Sequence, residues 1–173
     1  QRSLYPDYGV LNFEQSISGD YGHIVSSDGG ETLWCNYPGF TMYYENPETD
    51  TGGASLSFPS SGQLWLPPLM EHPYDNNKVY LGGGGVNGGH HLILLRKAIS
   101  GGITYSEEPY NFNGRISAMA YSPIEPNYRY VLTDNGTFYY SFDNGVNCDI
   151  SNSFDGPNAH YFYGSSIWAS KSI

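Results

Sequence analysis

Leu66-Pro67-Pro68-Leu69-Met70-Glu71-His72-Pro73-Tyr74-Asp75-Asn76-Asn77-Lys78-Val79-Tyr80-Leu81 is answered fifty residues later by Ile116-Ser117-Ala118-Met119-Ala120-Tyr121-Ser122-Pro123-Ile124-Glu125-Pro126-Asn127-Tyr128-Arg129-Tyr130-Val131. Pro73 falls on Pro123, Asn77 on Asn127 and Tyr80 on Tyr130, and the apolar positions coincide. Each copy reads as a strand, a Pro/Asn turn and a returning strand. A fixed period in this range is the mark of stacked supersecondary units, each of which buries its apolar face on a neighbour.

Downstream of the second copy, Thr133-Asp134-Asn135-Gly136-Thr137 reads as a hairpin, with Asn-Gly favouring a type I′ turn. It leads through Phe138-Tyr139-Tyr140 into a second turn, Ser141-Phe142-Asp143-Asn144-Gly145-Val146-Asn147. A similar run stands near the start, Ser26-Ser27-Asp28-Gly29-Gly30-Glu31-Thr32-Leu33-Trp34, entered through His23-Ile24-Val25. In both, the carboxylate two residues after the serine is placed to accept the turn's own backbone N–H groups. The glycine two residues further on supplies a positive φ. A third run, Ala98-Ile99-Ser100-Gly101-Gly102-Ile103-Thr104-Tyr105, keeps the glycine, threonine and aromatic without the serine and aspartate.

Ser26, Asp28, Gly30 and Trp34, with Ser141, Asp143 and Gly145, resemble the Asp-box, S-x-D-x-G-x-T-W, the BNR-repeat turn of sialidase-like, sortilin-like and xyloglucanase-like propellers. Leu33 stands where the pattern has Trp, which follows at Trp34; Asn147 and Cys148 stand where it has Thr and Trp. The resemblance implies an all-β fold, a β-propeller fragment of antiparallel four-stranded blades closed by Asp-box hairpins, with the box residues holding turns shut. On that frame residues 8–45 are expected to form a partial blade, 64–110 and 114–152 two further blades, and 160–173 the first strand of another. A ring closes at about four to eight blades. The chain is therefore expected to be a piece of a longer polypeptide whose remainder completes the propeller. The Pro/Asn-turn repeats are also similar to those of large exported bacterial proteins of the Bacteroidota, which implies a secreted or cell-surface location.

Composition agrees with an all-β extracellular module: 17 Tyr, 22 Gly and 11 Pro in 173 residues, without a sustained helical period. A formal charge of −10 with only seven Lys and Arg argues against nucleic acid as partner. The sequence lacks a run of about 18 apolar residues that would cross a membrane as a helix. Cys35 and Cys148 fall beside turns expected on different blades, and they are not expected to bond each other.

Several constellations invite a chemical reading. Gly83-Gly84-Gly85-Val86-Asn87-Gly88 satisfies G-x-G-x-x-G, but a strand follows instead of the helix N-terminus that would hold a pyrophosphate. The run reads as a mobile loop, and no cofactor is expected. His90-His91 point to opposite faces of an extended segment and have no third ligand at usable spacing, so no metal is expected. Glycoside hydrolysis takes two carboxyl groups about 5–9.5 Å apart. Asp7, Asp20, Glu71, Glu107, Glu108 and Asp155 are candidates that sequence alone does not pair. Arg2, Arg96, Arg115 and Arg129 do not form the clustered arginines that the sialidase resemblance demands. Trp65, Trp168, Tyr43, Tyr44, Tyr110 and Tyr163 are candidates either for sugar stacking or for packing between sheets. Tyr110, in Glu107-Glu108-Pro109-Tyr110-Asn111, reads as the best exposed ligand contact, with Glu107 and Glu108 beside it. The expected function is a binding or display module for glycan or protein. The alternative is part of a glycoside hydrolase, xyloglucanase-like before sialidase-like, with catalytic residues unassigned here.

Overall fold

Lys78–Leu81 and Ile93–Lys97 bury successive residues on opposite sides, which a strand does only when both faces of its sheet are covered. The computed structural model describes residues 2–3, 13–14, 22–45, 52–59, 62–151 and 166–171. Among these it is all-β, without a helix. A two-residue pair, β1 (Arg2–Ser3) with β2 (Phe13–Glu14), precedes three four-stranded antiparallel sheets. The first sheet is β3 (Ile24–Val25), β4 (Thr32–Tyr37), β5 (Phe40–Glu45) and β6 (Gly53–Ser57). The second is β7 (Leu69–Glu71), β8 (Lys78–Leu81), β9 (Ile93–Lys97) and β10 (Ile103–Glu107); the third is β11 (Ile116–Tyr121), β12 (Arg129–Thr133), β13 (Phe138–Ser141) and β14 (Asp149–Ile150). Each is a meander in chain order.

The second sheet is the filling between the other two. Leu69, Val79, Leu81, Ile93 and Leu95 pack with Trp34 and Tyr43 of the first sheet. The alternate residues Met70, Tyr80, Leu92 and Leu94 pack with Ile116, Met119, Val131 and Tyr139 of the third. The first strands follow one another, β3 against β7 and β7 against β11, while β6 lies against β10. The sheets thus stack face to face with corresponding strands adjacent.

The fifty-residue repeat is kept in the register itself. Met70 pairs with Tyr80 and Ala120 with Tyr130; Glu71 pairs with Val79 and Tyr121 with Arg129. The turns match as well, His72 N–H to Lys78 O at 3.2 Å and Ser122 N–H to Tyr128 O at 2.8 Å. Facing follows: Leu81 looks back to the first sheet as Val131 looks back to the second. Burial differs at Tyr80 and Tyr130, since Tyr80 is enclosed by the third sheet while Tyr130 is half-buried on that sheet's outer face, stacked on Phe138.

Some sequence expectations need revision. The first sheet runs from Ile24 to Ser57, past the 8–45 range, because the Tyr37-Pro38-Gly39-Phe40 turn, with Gly39 at φ +98°, folds the chain back into β5 and then β6. The Asn135-Gly136 hairpin is not type I′: a positive φ occurs at Gly136 but not at Asn135. Asp134-Asn135 form the bend, Gly136 N–H returns to Thr133 O at 2.9 Å, and the left-handed glycine makes a bulge. Asn135 stays in ordinary backbone space because its side chain is committed, with Oδ1 accepting from Thr133 Oγ1 at 2.6 Å and Nδ2 donating to Asn113 O. Residues 160–165 lie outside the described residues, and 166–171 form no strand. Cys35 and Cys148 are both free, on β4 and beside β14, and burial pushes each thiol up to about 11.

Candidate functional site

The two serine-aspartate turns close by the same bonds. Ser26 Oγ accepts from Gly30 N–H at 2.8 Å and Asp28 Oδ1 from Thr32 N–H at 2.9 Å. Ser141 Oγ accepts from Gly145 N–H at 2.9 Å and Asp143 Oδ1 from Asn147 N–H at 2.9 Å. In each, the serine hydroxyl donates to its aspartate at 2.8 Å. Asn147 adds a side-chain bond, Nδ2 donating to Asp143 Oδ2 at 2.6 Å. The turns occupy different places in their sheets, between the first and second strands at Ser26 and between the third and fourth at Ser141. The Ala98–Gly102 run matches the latter, joining β9 to β10 with Gly101 and Gly102 at positive φ. These aspartates shape backbone and leave no free carboxylate for chemistry.

Partial burial disfavours ionised Asp28, but the Thr32 N–H, the Ser26 and Thr32 hydroxyls and the Gly30 N–H outweigh it and hold the carboxyl below its usual range. Asp143 is likewise held low by Asn147, through backbone and side chain, and by the Ser141 hydroxyl. A lowered native pKa contributes stability above the unfolded value of about 3.9 and loses it as pH falls through the native value. The urea midpoint is therefore expected to drop as pH is taken from 5 toward 2, and Asp28→Asn with Asp143→Asn to flatten that slope. An unchanged slope in the double variant contradicts this account of the turns.

The Gly-rich run is tied down and is not a free loop. Gln63 Nε2 donates to Gly82 O and its Oε1 accepts from Gly84 N–H at 3.1 Å, while Glu107 Oε1 accepts from Val86 N–H. His91 Nδ1 donates to Glu108 O at 3.0 Å. Among the described residues no group of three or more His, Cys, Asp or Glu could hold a metal ion, and no helix is long and apolar enough to cross a membrane. Tyr110 packs in the ring cluster of Phe112 (4.8 Å) and Tyr139 (6.2 Å) and donates to Cys148 O at 3.1 Å. Glu107 and Tyr110 thus serve the fold, and Glu108 flanks them through backbone bonds.

Exposed aromatics gather elsewhere. The turns after the first and third strands share one end of the second and third sheets, and they carry Tyr74, Ile124, Tyr128, Phe142 and Val146, all exposed. Tyr74 is 60% and Phe142 59% accessible, far more than packing leaves to a ring. Tyr128 and Phe142 meet edge to face at 4.7 Å. Tyr74 Oη bonds Asn127 Oδ1 at 3.2 Å, and Asn144 N–H bonds Asn127 O at 2.8 Å, so three turns form one surface. The sequence concealed these rings because they sit inside turn motifs and outside any alternating strand. Trp65 and Trp168 are exposed too, whereas Tyr43 is buried and Tyr44 half-buried.

Beside this end lies a cleft of about 410 Å³ along the first strands of the two sheets. Met70, Glu71, Met119, Tyr121, Trp168 and Lys171 contribute to its walls, and Glu71 is the one carboxylate on its lining among the described residues. Tyr121 Oη lies 3.4 Å from Glu71 Oε1, and burial together with that carboxylate raises the phenol's pKa. Compared with known proteins, the chain matches no family model, and no curated protein matches it.

Proposed function

We propose that this chain is a segment of a secreted or cell-surface β-propeller whose role is to bind glycan, with the aromatic turn surface as the contact face. The observation that carries the reading is the set of exposed rings, Tyr74, Tyr128 and Phe142, fixed side by side on bonded turns with Asn127 and Asn144 between them. Ring faces cover the apolar C–H face of a sugar while neighbouring amides meet its hydroxyls, and an exposed apolar patch rimmed by polar groups marks an interaction surface. The stacked sheets in fifty-residue register and the paired Ser-Asp-Gly turns support the propeller reading, with the rest of a longer polypeptide closing the ring.

The cleft favours binding over hydrolysis. Among the described residues Glu71 lines it without a second carboxylate, and cleavage of a glycosidic bond by paired carboxyl groups takes two.

Screening the chain on a glycan array, followed by titration calorimetry on the best ligand, is the test. Tyr128→Ala or Phe142→Ala is expected to weaken binding about tenfold, ~1.4 kcal/mol, with melting little changed. Retention of no glycan overturns the reading. So does release of reducing ends that a single carboxylate substitution abolishes.

A further inference from the structure

Where the first copy of the repeat buries Val79, the second buries Arg129, at 2% exposure. A guanidinium in an apolar slot is costly without an anion beside it. Nη2 donates to Asn144 Oδ1 at 2.6 Å and to Tyr80 Oη, and the guanidinium carbon lies 4.3 Å from the Tyr80 ring centre. Nε and Nη1 are buried without a hydrogen-bond partner among the described residues. No carboxylate pairs with Arg129 or with Arg96 among the described residues, whose ion pairs are Lys78–Asp75, Lys97–Glu45 and Arg115–Asp134. In a chain with net charge −10, two guanidinium groups unmatched by carboxylate on facing sheets are an unusual concentration of positive charge.

This cluster underlies the aromatic surface. His72 stacks on Tyr80 at 5.4 Å and meets Tyr74 at 6.2 Å. Burial, then Lys78 and Arg129, lowers the His72 pKa, with Arg96 adding to it and Asp75 opposing. Asp75 is committed to Lys78 at 2.7 Å, and Asp143 to its own turn. Over Arg129 runs Asn144-Gly145, with Asn144 at φ +63°, the one positive-φ residue other than glycine among the described residues. A Cβ on Gly145 would stand 3.1 Å from Arg129 Nη1, so the missing side chain lets the turn lie directly over that donor.

We infer that the glycan bound at this end carries an oxyanion, a carboxylate or a sulfate, which seats on Arg129 with Arg96 as second cation; this rests on the glycan-binding reading above. The buried Nε and Nη1, unpartnered among the described residues, are the donors that supply charge-assisted hydrogen bonds. Entry turns the Asn144 side chain off Nη2, while the Asn144 N–H keeps its bond to Asn127 O and the ring surface stays in place. The rings above take the sugar face, and the guanidinium below takes the acid.

Calorimetric titration at fixed ionic strength, using a hexuronate oligosaccharide, a sulfated one and their neutral hexose counterpart, tests this directly. The acidic ligands are expected to bind at least tenfold tighter than the neutral one, with inorganic sulfate competing. Preference for hexuronate assigns a carboxylate, and preference for the sulfated chain assigns a sulfate. Arg96→Gln is expected to reduce the advantage severalfold, and Arg129→Gln, checked for native melting, to remove it. Should Arg129→Gln not fold, the wild-type preference and Arg96→Gln decide alone. Equal binding of acidic and neutral chains overturns the inference and leaves the glycan reading intact. Binding of none of them, on the array or by calorimetry, sinks both.

Discussion

Tyr80→Ala is expected to lower the stability of the chain by about 4 kcal/mol or more, whereas Tyr130→Ala, its repeat partner, costs about 1 kcal/mol. Tyr80 is enclosed between the second and third sheets, with His72 stacked on its ring and Arg129 over it. Truncation removes a large buried side chain and also strips Arg129 of its ring and of one acceptor. The cation would then keep only Asn144, and uncompensated buried charge is among the costliest lesions a core can carry. Tyr130 lies half-buried against Phe138, where solvent replaces the lost contact at small cost. Urea unfolding of both variants decides the matter. Similar losses at the two positions would mean that the outer face of the third sheet is as enclosed as the inner one.

Trp34→Ala should be comparably severe, about 4 kcal/mol, for a different reason. Trp34 is 1% exposed, meets Tyr43 at 5.2 Å, and fills the space between the first and second sheets against Val79, Leu81, Ile93 and Leu95. Its Nε1 is buried without an acceptor among the described residues. Trp34→Phe keeps an aromatic body and removes that unsatisfied donor, so it is expected to cost less than about 1.5 kcal/mol. A phenylalanine variant as unstable as the alanine variant would show that the indole N–H has an acceptor and that packing is not the main term.

The order of strands in the second and third sheets was legible because local signals and long-range repeat agree. Pro73 and Pro123 mark turns, the returning strands follow at Lys78 and Arg129, and the fifty-residue offset reappears in pairing. The extent of the first sheet was not, since no second copy exists to show that Gly53–Ser57 pairs with Phe40–Tyr44. Turn type escaped prediction at Asn135 because a side chain's bonds to Thr133 and Asn113 outweighed the dipeptide's preference. Tyr110 illustrates the same limit. A ring in a Glu-Glu-Pro-Tyr-Asn segment reads as exposed, yet Phe112 and Tyr139 draw it inward through edge contacts worth about 1 kcal/mol each. Tyr74, Tyr128 and Phe142 show the reverse, because turn motifs fix their backbone and give their rings no partner sheet. Arg129 was visible only as a strand residue. Its role depends on Tyr80 of another sheet and on Asn144 of a later turn, and neither neighbour can be paired with it from spacing.

Methyl NOE spectroscopy on a chain labelled at Ile, Leu, Val and Met tests the stacking of the sheets most directly. Cross-peaks are predicted from Ile93 and Leu95 to the Trp34 and Tyr43 rings, and from Leu92 and Leu94 to Met119, Val131 and the Tyr139 ring. Alternate residues of one strand would then report two different neighbours. Cross-peaks joining both sets to the same sheet, or none from Leu92 and Leu94 to the third, would contradict the account.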